Sequence, residues 1–173
     1  EYRLAFPEIL ETIATAMPVD EASYLVGGTV RDALLGKVSH DLDFVLSGEV
    51  LPLVRRLADR IGAAFYPLDE QRDTGRLILT HADGSRQWLD FARMQGSDLE
   101  SDLRRRDFTV NAMAVDIRRP QELLDPLGGA ADLREKKLRV CSASALQMIR
   151  CASCGLFARR LRIGFEYCRK LAA

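Results

Sequence analysis

The sequence predicts an α+β domain over residues 1–141, a mixed sheet flanked by helices, followed by a short helical segment over residues 142–173. Three observations carry this reading. The stretches 6–16 and 50–61 (VLPLVRRLADRI) space their apolar residues three and four apart, as one face of a helix does. Three strand-like pieces, AAFYPL, GRLILTHA and RQWLDFA, follow one another closely, with the hairpin signal Asp83-Gly84 between the last two. Beyond about residue 141 the texture changes to SASALQMIRCASCGLFARRLRIGFEYCRKLAA, a helical stretch with a ragged apolar face, interrupted at Gly155 and Gly164.

Taken in order, the helix over 6–16 must end before Pro18. ASYLV at 22–26 reads as a short buried strand that Gly27 and Gly28 break. Thr29 to Leu35 reads as a helix closed by Gly36. Asp41 to Leu46 alternates polar and apolar, as a strand with one buried face does. After the helix at 50–61 and the three strands, a polar stretch, GSDLESDL, leads into RRRDFTVNAMAVDI, and LLDPLGGAADLREKKLRV follows. A chain that mixes helices with a hairpin-rich sheet in this way is α+β. It shows no internal repeat and no low-complexity tract.

Of 173 residues, 47% are hydrophobic, enough for a core, and 29% are charged. Lys plus Arg equals Asp plus Glu at 25 each, so net charge gives no argument for nucleic acid. Local charge does: Arg104, Arg105 and Arg106 run together, as do Arg159, Arg160 and Arg162. No apolar run approaches the roughly 20 residues that span a bilayer. EYRLAFPEIL lacks the basic-then-apolar pattern of a signal peptide, so the expected place is the cytoplasm, with no membrane partner. The oligomeric state is not legible. CASC at 151–154 has the spacing of half a zinc site, but no second CxxC or paired His follows. The four cysteines, at 141, 151, 154 and 168, therefore read as reduced structural thiols.

The chemistry concentrates in LVGGTVRDALLGKVSHDLDF, residues 25 to 44. A strand points residues i and i+2 to the same face, so Asp41 and Asp43 project together. Two carboxylates held that close repel unless a cation neutralises them. Mg2+ suits the task, because it takes a few carboxylates and keeps room for phosphate oxygens. Two such ions activate a hydroxyl nucleophile and hold a triphosphate for in-line displacement. Asp90, the one acid within the apolar strand RQWLDFA, is the candidate third carboxylate. An isolated DxD is also common on solvated strands. The glycines weigh against that reading here. A turn at Gly27 and Gly28 lets backbone N–H groups approach phosphate, and Arg31, one turn into the helix, adds a charged fork. GGTVRD lacks the GxGxxG spacing of dinucleotide folds.

LVGGTVRDALLG followed by HDLDFV resembles the first signature of the class II tRNA nucleotidyltransferase and bacterial poly(A) polymerase family, within the polymerase-β-type nucleotidyltransferases. LESDLRRRDFTVNAMA is similar to the family's second signature and DPLGGAADLREKKLR to its third, so the resemblance runs from about Tyr24 to Arg139. It implies Mg2+-dependent transfer of CMP or AMP from CTP or ATP to the 3′ end of a tRNA or other RNA, with release of pyrophosphate. Carried over residue by residue, Gly28 and Arg31 would contact the triphosphate, and Asp41 and Asp43 would hold the metal ions. Asp90 matches an acidic position on the adjacent strand. Arg106 would bind the incoming nucleotide, while Asp107 and Asn111 orient the arginine and the sugar. The bland alternative makes the three arginines a solvated face and Asn111 a helix cap. WLDFARMQG leans toward the poly(A) polymerase-like and split-activity branches.

The family's next signature, an acid pair and an arginine that read the base from a helical neck, is broken. Aligned on LQMIRCASC, Ala143 and Ser144 stand where acids belong and Gln147 where the first arginine belongs, with Arg150 surviving as the second. Alternatively, a short segment is missing after Gln147. Family members continue into helical body and tail domains, so the expectation is a natural truncation, a fragment or a shifted reading frame near residue 142. Three functions compete: the nucleotidyltransferase that adds CCA, CC, A or poly(A); a nucleotide-binding relic; and a DxD glycosyltransferase, which leaves RRRDFTVNA unexplained.

Overall fold

In the computed structural model of the chain, which describes residues 4–143 and the pair 166–167, contacts divide the molecule into two compact units. One comprises the residues up to Met94 together with Ala114–Leu124; the other comprises Gln95–Met113 and the described residues from Asp125 on. The boundary expected near residue 142 falls at the edge of the described residues.

The first unit contains α1 (Ile9–Ala16), β1 (Ser23–Val26), α2 (Gly28–Leu34), β2 (Asp41–Leu46), α3 (Val50–Ile61), β3 (Ala64–Asp69), β4 (Thr74–Thr80), β5 (Arg86–Arg93), β6 (Ala114–Asp116) and β7 (Leu123–Leu124). Its seven strands form one sheet in the order β3-β4-β5-β2-β1-β6-β7. β2 and β5 run parallel and every other neighbouring pair is antiparallel, so the sheet is mixed, as the sequence predicts. A parallel pair needs a long crossover. Here α3 and the β3–β4 hairpin supply it, and β5 then lies between β4 and β2.

Strand alternation fixes which residues reach the core. Leu42 and Phe44 of β2, Leu89 and Phe91 of β5, and Leu77 of β4 are all buried. Phe44 and Phe91 are partners in the parallel register and stack with ring centroids 4.7 Å apart. α3 adds Val50, Val54 and Leu57, also buried. Each such side chain contributes about 1.5–3 kcal/mol by leaving water. The N-terminus of α3 has no side-chain cap of its own. Asp73, from the β3–β4 turn and at φ 51°, supplies one by accepting from the N–H groups of Val50 (2.8 Å) and Leu51 (2.9 Å).

The second unit is built from short pieces: α4 (Leu99–Arg104), a 3-10 turn (Thr109–Asn111), α5 (Gly129–Arg134) and β8 (Lys137–Leu138), which pairs with β9 (Glu166–Tyr167). The polar stretch GSDLESDL is therefore mostly helix. Asp98 caps it by accepting from the Ser101 N–H at 2.8 Å, a bond that holds the Asp98 carboxyl below its ordinary range. Leu103, Phe108, Val110, Met113 and Leu133 are buried, and Phe108 bridges to Val140.

Candidate functional site

In the first unit, strand register assembles the carboxylates. Asp41 and Asp43 are exposed on one face of β2 while Leu42 and Phe44 are buried on the other. The parallel pairing sets Asp43 directly beside Asp90 of β5, and the antiparallel β4–β5 pairing sets Arg76 beside Asp90. Arg76, Asp90, Asp43 and Val26 thus form one row across four strands. Neighbouring strands lie about 4.8 Å apart, so the row brings residues distant in sequence within side-chain reach.

Arg76 is a participant that the sequence reading missed. Its Nε donates to Asp90 Oδ1 at 2.6 Å and its Nη2 to Asp90 Oδ2 at 2.7 Å, a two-toothed fork on a half-buried carboxylate. The Asp90 hydrogen bonds raise the Arg76 pKa above the ordinary arginine value against partial burial, and the charges of Asp90, Asp41 and Asp43 add to the effect. The field of both β2 carboxylates therefore reaches this guanidinium.

The glycine turn adjoins the same strand end. Val26 is the register partner of Asp43, and Gly27 follows at φ 76° and ψ −139°, a conformation that essentially only glycine adopts. Thr29, in the first turn of α2, donates its hydroxyl to the Asp41 carbonyl at 2.9 Å and so pins the helix start to β2. Arg31 lies along its neighbour, with Nε 3.0 Å from Asp32 Oδ1. A Cβ on Gly28 would meet only the guanidinium end of Arg31, with Nη2 nearest at 3.3 Å.

In the second unit, the three consecutive arginines separate in role. Arg104 is exposed and pairs with Glu100 one helical turn back, its Nε at 3.0 Å. Arg105 is exposed, and Arg106 is only half-exposed. The carboxylate that meets Arg106 is Asp102, not the adjacent Asp107, and the contact is long, with Nη2 3.4 Å from Oδ2. Asp102, buried, also accepts from the Gln95 N–H at 2.8 Å. The buried Nε of Arg106 has no hydrogen-bond partner among the described residues. A guanidinium held this loosely still has donors to offer an anionic ligand. Asp107 turns instead to the Phe108 N–H (2.7 Å) and to Asn111 Nδ2 (3.1 Å), so these two predicted residues do meet, across the start of the 3-10 turn. Burial pushes the thiol of Cys141, whose N–H donates to the Asp107 carbonyl, up to about 12, with the charge of Asp107 adding to it.

The segment resembling the third signature braces that turn. Asp125 accepts from the N–H groups of Gly129 (2.7 Å) and Ala130 (2.9 Å) and caps α5. Asp132, buried, accepts from the Thr109 hydroxyl at 2.5 Å and from Arg139 Nε at 2.9 Å. Gly129 sits so near the turn that a Cβ there would lie 2.1 Å from the Thr109 carbonyl oxygen. Of Asp125, Asp132 and Arg139, none of them singled out in the sequence, only Asp132 is tied by its side chain to a distant partner, Thr109, 23 residues back; Asp125 bonds four and five residues ahead and Arg139 Nε seven residues back. Ser144, Gln147, Arg150 and CASC lie outside the described residues.

The family model described as "Poly A polymerase head domain" matches residues 23–139. The chain is 50% identical over 125 residues to a CC-adding tRNA nucleotidyltransferase of Geobacter sulfurreducens, covering 71% of this chain and 28% of that protein. It is 38% identical over 128 residues to an A-adding tRNA nucleotidyltransferase of Aquifex aeolicus, covering 68% and 16% respectively. Its fold matches a crystal structure of a tRNA nucleotidyltransferase complexed with a primer tRNA and an incoming ATP analogue, with TM-score 0.72 and 34% identity over 92% of this chain and 46% of that one. The chain spans less than a third of the length of either curated relative.

Proposed function

The chain belongs to the Poly A polymerase head-domain family, with the sheet of a polymerase-β-type nucleotidyltransferase head, and from that premise we propose that it transfers CMP or AMP from CTP or ATP to a tRNA 3′ end, releasing pyrophosphate. The observation that carries the proposal is the register that sets Asp43 beside Asp90, two residues from Asp41 and next to the Gly27-Gly28 turn. We assign the reaction to the cytoplasm; no helix among the described residues is long and apolar enough to cross a membrane.

A divalent ion fits Asp41 and Asp43. Among the described residues no three acids, histidines or cysteines converge on one point, and Asp90 faces Arg76. What the sheet offers is a platform of two hard oxygen donors, which suits Mg2+, since that ion binds through one or two carboxylates and completes its shell with water and phosphate. When bound there it would lower the pKa of the attacking hydroxyl and offset charge on the phosphoryl group.

The chain's own residues do the holding. In this reading the N–H groups at the Gly27-Gly28 turn and the Arg31 guanidinium take the triphosphate. The under-used donors of Arg106 bind the nucleotide, and Asp107 with Asn111 keep the adjoining turn in shape. The head is shared by CC-adding and A-adding relatives, so we assign the choice between CMP and AMP to residues outside 23–139, Arg150 among them.

The test is incubation of the purified chain with labelled CTP or ATP, Mg2+ and a tRNA lacking its 3′ end. Label entering the RNA, and lost in Asp41→Ala or Asp43→Ala, is the expected result. Metal-dependent nucleotide binding without incorporation would instead mark a nucleotide-binding head that does not turn over by itself.

A further inference from the structure

The carboxylate row contains a cation of the protein's own. Asp90 occupies the β5 position beside Asp43, yet both of its oxygens are engaged by the fork of Arg76. Arg76 reaches Asp90 from β4 as its register partner, so the pairing is built into the sheet rather than into a mobile surface chain. The pair is about one-third exposed on each side, so water and ions reach it. Three carboxylates on adjacent positions of one sheet face would repel strongly without a counter-charge.

We propose that Arg76 is the counter-cation of the carboxylate face, and that a divalent ion bound at Asp41 and Asp43 competes with Arg76 for Asp90. The inference rests on the metal site argued under the proposed function. Arg76 touches neither nucleotide nor RNA in this account; it is a positioning residue, acting through Asp90. It keeps the third acid turned away until a stronger positive charge arrives, and it thereby sets the affinity of the site for metal. A guanidinium does this without being consumed by pH, because it stays charged over the whole working range.

The test is binding of Mn2+ alone, read from the free-ion electron paramagnetic resonance signal, with no nucleotide and no turnover. Arg76→Gln should bind Mn2+ about three- to tenfold more tightly than the parent chain, because a unit positive charge has left the neighbourhood of a divalent ion. Arg76→Lys, which keeps the charge but loses the fork on Asp90, should fall between the parent and Arg76→Gln. Adding Asp90→Asn to Arg76→Gln should remove the gain. Affinity unchanged or lowered in Arg76→Gln, while Asp41→Asn still lowers it, would overturn the competition and leave the metal site standing. Mn2+ binding indifferent to Asp41→Asn and Asp43→Asn would overturn the metal site itself and the inference with it. A measurement on the unmutated chain covers the case in which a variant fails to fold: the Arg76 Nε–H resonance should shift as Mg2+ is added. A resonance that stays put at saturating Mg2+ contradicts the proposal.

Discussion

The two units solve the same problem, holding charged side chains in fixed positions, by different means. In the first, backbone register does the work: once β2 lies parallel to β5, the positions of Asp41, Asp43 and Asp90 follow from strand alternation. In the second, Arg106 follows a six-residue helix by two residues and Asn111 ends a 3-10 turn, elements too short to hold themselves. Their positions depend on side-chain bonds from Asp102, Asp107 and Asp132 and on one glycine contact. The first arrangement should tolerate single substitutions. The second should fail when any brace is removed.

The strongest way to break the comparison is at two glycines. Gly129→Ala drives a methyl into the Thr109 carbonyl, a backbone atom that cannot step aside. It should cost about 3 kcal/mol, measured by chemical denaturation. Gly28→Ala meets only the end of the Arg31 side chain and should stay within about 1 kcal/mol of the parent chain. Equal losses would mean that the second unit is no more dependent on close contacts than the first.

Next in size is Asp132→Ala, which strips the buried Thr109 hydroxyl of its acceptor and releases Arg139. A loss of about 2–3 kcal/mol is expected. Nucleotide binding through Arg106 should fall with it, while Mn2+ binding that depends on Asp41 stays unchanged. Titration calorimetry with each ligand separates the two.

Arg106→Ala should weaken nucleotide binding by about ten- to a hundredfold, the equivalent of roughly 1.5–3 kcal/mol for a charge-assisted contact. Arg104→Ala removes an exposed pair one helical turn long and should change stability by only about 0.3–0.5 kcal/mol. Similar effects of the two on nucleotide affinity would show that the arginines act as a solvated cluster.

The last effect is confined to alkaline pH and belongs to Cys141. Its folded pKa lies above the ordinary thiol value of 9.0, at about 12. The neutral thiol is therefore favoured by folding, and that contribution is fully present below pH 9 and lost as pH rises toward 12. The difference in melting temperature between the parent chain and Cys141→Ala should narrow over that window, and a thiol reagent at pH 8 should label the native protein slowly.

How much was legible in the sequence divides along the same line. The bounds of β2 and α3 coincide with the expected residues, because a two-residue or three-to-four-residue period marks each position separately. The helix α4 was hidden by its polar composition, since only Leu103 among its central residues is a buried apolar side chain. Asp98, an N-cap residue type followed by Glu100 and Asp102 in the first turn, was the signal that could have marked its start. Arg76 was recoverable too. With the hairpin centred on Asp83, Arg76 and Asp90 stand equally far from the turn, which predicts that they face one another. Asp132 and Gly129 had no such local signature, because each is defined by its contact with Thr109, far back in the chain, whereas Asp125 caps α5 from only four residues away.

The facing of Arg76 and Asp90 across a local hairpin has a consequence for the modularity of this sheet. β4 and β5 form an electrically balanced cassette: the acid that must lie against two other acids comes with its neutralising base on the strand next to it. Exchanging β5 alone with that of a relative would separate the acid from its base, leaving a carboxylate to be desolvated beside β2 without compensation. Exchanging the hairpin whole would not. Recombination that respects this cassette should yield folded chimaeras more often than recombination that cuts through its turn at Asp83-Gly84.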